Sequence, residues 1–164
     1  MKKVLSTVLL LSLFLVSGCG DKEIDESMFN SIYSSHIDSL SSNLDSAMAD
    51  YLSNVPETVD ENTEVVFTGT YYDAAISDLD FARRDLDAGF VIADKLKQEN
   101  VEIAAEEFFV TYEDFFNIYK EAVDFYTSGE YMNEPEQIGA IEDSIINAYY
   151  EAAGKQQSVS QLLY

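Results

Sequence analysis

The strongest constraint on the fold lies between residues 72 and 96. Tyr72, Ala75, Leu79, Ala82, Leu86, Gly89, Ala93 and Leu96 recur at alternating steps of three and four. That spacing keeps one side of an α-helix apolar along its whole length. A strand cannot use it, because strand side chains change face at every residue. A helix patterned in this way must bury its seam against other helices. Three alanines and a glycine on the seam would allow a neighbour to approach closely.

The rest of the chain supplies those neighbours. A first helix is expected over about 25–53, with Phe29, Ile32, Tyr33, His36, Ile37, Leu40, Leu44, Met48, Tyr51 and Leu52 on its apolar line. Pro56 ends it. The stretch 57–68 carries Glu57, Asp60, Glu61 and Glu64, and Gly69 closes it. It is expected to be a loop, because the strand-like run Glu64-Val65-Val66-Phe67-Thr68 has no partner strand to satisfy its backbone. A third helix, with Asn100 as its expected cap, carries Val101, Ala105, Phe108, Tyr112, Phe115, Tyr119, Ala122 and Tyr126. A second line at Phe109, Phe116 and Val123 widens its apolar face, so this helix should be the most buried. Gly129 suits a left-handed cap, and Asn133-Glu134-Pro135 suits the start of a fourth helix. That helix carries Ile138, Ile141, Ile145, Ala148, Ala152, Val159 and Leu162. With two prolines and seven glycines in the chain, long helices are permitted. The reading is an all-α, antiparallel up-down bundle of about four long helices, forming one domain over 25–164.

Charge excludes one class of partner. Nine Lys and Arg against 31 Asp and Glu leave a net charge of −22, which would repel nucleic-acid phosphates. One cysteine excludes an intrachain disulfide, and a single histidine, His36, excludes a site needing two imidazoles. The Glu-x-x-His pairs of di-iron bundles are therefore missing. The run Asp85-Leu86-Asp87-Ala88-Gly89 stops short of a calcium loop. The acids at 57–64 have the oxygens for weak divalent binding, but no fixed spacing. No metal or other cofactor is expected.

The amino-terminal residues read as an address. Met1-Lys2-Lys3 is basic, and Val4 to Val16 is apolar apart from Ser6, Thr7 and Ser12. Thirteen residues are too few for the roughly 20 that cross a bilayer, but suit a secretory signal. Val16-Ser17-Gly18-Cys19 resembles the lipobox of bacterial lipoproteins. The resemblance implies cleavage between Gly18 and Cys19 and acylation of Cys19. Residues 1–18 would be the signal peptide and 19–24 a short tether. Without Lys2 and Lys3, seven bases would face 31 acids, a net charge of −24. Acyl chains, not headgroup attraction, would then hold the protein on its membrane. Gly20, rather than Asp, follows the cysteine, which by resemblance to Gram-negative sorting favours the outer membrane. The expected location is the bacterial cell envelope, on the outer side of the cytoplasmic membrane or at the outer membrane.

In layout, a lipobox, a Tyr/Leu-rich helix, an acidic loop and further helices resemble the YiiG-like bacterial lipoproteins. The local match is Ala122-Val123-Asp124-Phe125-Tyr126-Thr127-Ser128-Gly129-Glu130-Tyr131. It is similar to that family's turn of paired aromatics, later tyrosine and acid, with Glu134 in the acid's place. The resemblance implies a helical fold and an envelope location, not a reaction.

Asp73, Asp80, Asp87 and Asp94 recur every seven residues beside the seam, with Arg84 placed to neutralise part of the stripe. The stripe is a candidate docking strip for a basic partner; the plainer account is a solvated helix face. His36 is expected to be a packed or rim residue. The chain has 21 Tyr and Phe and no Trp; such side chains at helical spacing are core more often than an aromatic groove. With no converged polar cluster, no catalytic residue is assigned. Two functions remain: a non-enzymatic lipid-anchored envelope protein acting as an interaction or structural module, or a membrane-tethered binding protein for a cation or small ligand.

Overall fold

A computed structural model describes residues 26–55, 65–67, 71–96 and 98–163, with residues 26, 28 and 87–96 described as helical backbone only. The expected signal peptide, the tether with Gly18 and Cys19, and the acids at 57–64 lie outside the described residues. The described chain is all-α. Its long helices are α1 (Glu26–Asn54), α2 (Tyr71–Leu96) and α3 (Glu99–Thr127). A single-turn α4 (Glu130–Asn133) and a 3-10 turn (Pro135–Gln137) then lead into the last long helix, α5 (Ile138–Leu163). None of the described helices is long and apolar enough to cross a membrane.

Polar contacts between helices give the topology. His36 of α1 meets Asp85 of α2, and Asn43 meets Asp78. Seven residues up one helix are seven residues down the other, so the pair is antiparallel. Glu107 of α3 meets Lys155 of α5, while Phe115 meets Tyr149, again antiparallel. Asn43 with Tyr112, and Asp50 with Tyr119, both pair α1 with α3 at a constant offset of 69 residues. These two helices therefore run the same way, as an up-down-up-down bundle requires.

α3 is the centre. Eleven of its residues are buried, and it packs against each of the other long helices. Phe108, Tyr112 and Phe116 form a ladder with ring centroids 5.8 and 4.8 Å apart, within the favourable range for tilted and edge-on rings. Each fully buried phenylalanine contributes about 1.5–3 kcal/mol from the area taken out of water. The alanines of the α2 seam make this approach feasible. Ala75 and Ala82 are buried, and the Tyr112 hydroxyl comes within 3.5 Å of the Ala75 carbonyl oxygen.

Several element details differ from the sequence reading. Gln98, not Asn100, holds the N-cap of α3, without a side-chain capping bond. Its carbonyl accepts from the Val101 and Glu102 amides at 3.0 and 3.2 Å, so Asn100 already lies in the first turn. Gly129 is left-handed as expected, with φ of 80°, and it also opens α4. The fourth long helix begins at Ile138 because Pro135 starts the short 3-10 turn. Leu52 and Leu162, both placed on apolar lines, face outward. Leu163 is buried in place of Leu162: where i+3 and i+4 are both apolar, spacing does not choose between them, and packing does. Ala47, off the expected line, is buried together with Met48. Residues 65–67 contain no strand. Val65 is buried, and the Phe67 ring lies 6.3 Å from Tyr51 and 6.5 Å from Tyr119, so these two side chains pack onto the core.

Candidate functional site

The candidate site is the acidic side of α2. A helix rises about 1.5 Å per residue, so Asp73 and Asp80 stand about 10 Å apart along the axis. Both are exposed. Asp87 and Asp94 continue the seven-residue spacing on helical backbone, and their side chains are outside the description. The structure thus places the first two members of the strip on open surface.

Arg84 does not neutralise Asp80 in the expected way. Its Nε donates to the Asp80 backbone carbonyl at 3.1 Å, and its guanidinium lies 5.0 Å from the Phe81 ring centre. An exposed ion pair offers little energy, while the adjacent ring covers the cation face. Arg83, one residue earlier and about 100° round the helix, instead reaches Glu113 of α3 at 2.8 Å.

Two other aspartates of α2 turn toward the bundle. Asp85 Oδ2 lies 3.2 Å from His36 Nε2, with each side chain 19% exposed. The histidine is thus a rim residue with a specific partner that the sequence reading missed. Asp78 Oδ2 accepts from Asn43 Nδ2 at 2.9 Å, and the same amide nitrogen lies 3.4 Å from the Tyr112 hydroxyl. Only the register of α1 against α2 brings these groups together; spacing within either helix does not reveal it.

Tyrosines make the remaining ties. Tyr119 donates to Asp50 Oδ2 at 2.9 Å, and Tyr149 donates to Asp45 Oδ1 at 2.8 Å. Tyr72 donates to Asn117 Oδ1 at 3.0 Å. Burial pushes the Tyr51, Tyr112 and Tyr119 phenols well above their ordinary range; at Tyr119 the bond to Asp50 pushes the same way. Tyr126 is raised by burial, and Tyr149 chiefly by its bond to Asp45.

The described cations are used locally. Lys120 pairs with Asp124 at 2.6 Å, and Lys155 with Glu107 at 2.8 Å. Hydrogen bonds to those carboxylates hold both ammonium groups above the usual lysine range. Together with Arg83 and Arg84, every basic side chain described has a contact of its own, and neither Asp73 nor Asp80 forms an ion pair with any of them, although the Asp73 charge adds to the upward push on Lys120. Among the described residues no three potential ligands converge to hold a metal ion.

Comparison with protein-family models, with curated proteins and with solved structures finds no match to this chain.

Proposed function

We propose that the chain is a non-enzymatic, lipid-anchored protein of the bacterial envelope, similar to the YiiG-like lipoproteins, whose acidic helical body serves as a protein-interaction or structural module. The observation carrying the interaction role is acid without an ion pair on open α2 surface: Asp73 and Asp80 are exposed, while the guanidinium groups of the nearby arginines contact groups other than these two carboxylates. Such a surface steers cationic partners toward it and weakens with salt. The anchor is supported by the basic start, the apolar run and Val16-Ser17-Gly18-Cys19. Two or more acyl chains would hold a body whose own charge opposes an anionic membrane.

The test has two arms. Metabolic labelling with a clickable fatty acid should mark the native chain and not the Cys19→Ser variant; equal labelling of both refutes the anchor. Photo-crosslinking residues at Asp80, Asp87 and Glu61, incorporated in the native cell, should capture one recurrent protein at the α2 positions. No adduct at any of the three sites refutes the docking strip. The second reading, a tethered binding protein for a cation or small ligand, draws on a cavity between α3 and α5.

A further inference from the structure

At one end of the bundle, where α3 turns through α4 into α5, the surface forms a half-open cavity of about 330 Å³. This lies at the small end of the range for ligand sites. Ile118 and Phe125 of α3 and Ile141 of α5 provide apolar wall, while Glu121 and Glu130 contribute carboxylates from two different elements. Gln137 and Ser144 complete the polar lining.

The polar groups are biased toward accepting hydrogen bonds. Ser144 donates its hydroxyl hydrogen to the Ala140 carbonyl at 2.7 Å, which leaves only lone pairs for a guest. Gln137 commits one amide hydrogen to Glu134 and keeps its side-chain carbonyl as an acceptor beside one remaining N–H. Neither Glu121 nor Glu130 has an ion-pair partner among the described residues, and the nearest lysine in sequence, Lys120, is held by Asp124. No basic side chain lines the cavity. A guest that suits it must bring donors and positive charge at one end and hydrocarbon at the other. An anion would meet two carboxylates, and a neutral hydrocarbon would leave them uncompensated.

We propose that this cavity binds a small organic ammonium, its N–H groups donating to Glu121 and Glu130 and its hydrocarbon resting on Ile118, Phe125 and Ile141. An ammonium carries three donors and no acceptor, the complement of this lining. The aromatic wall adds a surface suited to the polarised CH groups beside the charge. The site is separate from the acidic side of α2, so it stands or falls independently of the docking strip.

The test uses the full chain in detergent micelles, with isoleucine methyl groups observed by NMR during titration with 2-phenylethylammonium. Parallel titrations use 2-phenylethanol and, at matched ionic strength, sodium chloride. The expected result is saturable movement of the Ile118 and Ile141 methyls, with none at Ile103, which is exposed beside Glu106 and Glu107 in a different groove. Glu121→Gln and Glu130→Gln should each weaken binding about fivefold, the upper end for an exposed ion pair. Ser144→Phe, at an exposed position on α5, should fill the cavity and abolish binding without altering charge. Equal movement at Ile103, an equal response to the alcohol or to sodium, or unchanged affinity in the three variants overturns the proposal.

Discussion

Raising the pH should unfold this protein through its buried tyrosines. The Tyr51, Tyr112 and Tyr119 phenols are held well above the ordinary value near 10 by burial. Above that pH the unfolded chain loses these protons and the folded chain retains them. The folded state then binds more protons, so stability is fully present below about pH 10 and falls as pH rises beyond it. Each such group removes about 1.4 kcal/mol per pH unit, and the three together about 4 kcal/mol. A domain of about 8 kcal/mol, within the ordinary range, would be exhausted about two units above pH 10. With eleven tyrosines and no tryptophan, phenolate absorbance can be followed without indole interference, beside circular dichroism for helix content. The exposed phenols should ionise first, and the rest together with loss of helix. Tyr112→Phe should reduce the alkaline slope by about 1.4 kcal/mol per pH unit. If all eleven phenols ionise in one step near pH 10 while the helices persist, or if the variant leaves the slope unchanged, the reasoning is refuted.

Other outcomes follow from individual contacts. Tyr119→Phe removes a bond to a half-buried carboxylate; it should cost about 1 kcal/mol in urea melts, and a cycle with Asp50→Asn should recover most of that as coupling. Ala82→Leu, at a fully buried seam position, should destabilise by about 1–3 kcal/mol through overpacking, whereas a neutral result would mean the seam has room. A Cβ at Gly129 would meet strained backbone at φ +80° and the Met132 Cε at 3.1 Å, while Gly154 in α5 has nothing within 4 Å. Thermal melts should therefore show Gly129→Ala losing about 1 kcal/mol and Gly154→Ala gaining a similar amount.

The helices themselves were legible because period and seam coincide. Leu79, Ala82 and Leu86, and the line from Val101 to Tyr126, are buried where spacing places them. What spacing left open was the choice between neighbouring apolar residues, as at Leu162 and Leu163, and the identity of polar partners. His36 could be placed on the edge of α1, but Asp85 could not be assigned to it. That contact depends on how far α2 slides along α1, which the spacing of residues within either helix does not specify. The acid stripe was legible only as a spacing. Whether its charge is compensated depended on Arg84, whose turn toward Phe81 and its own backbone reflects a competition among local partners that a helical pair rule does not resolve.

The tyrosine ties have a consequence for how the surface charge is used. A carboxylate tied to a lysine has its field largely cancelled at a distance. One tied to a phenol is fixed in place but keeps its full negative charge, because the donor is neutral. Asp45 and Asp50 therefore help to set helix register while still contributing to the anionic exterior. In a chain with 31 acids and nine bases, this choice of donor lets the same residues serve as fasteners and as part of the long-range field, and the fastening does not require a counter-cation.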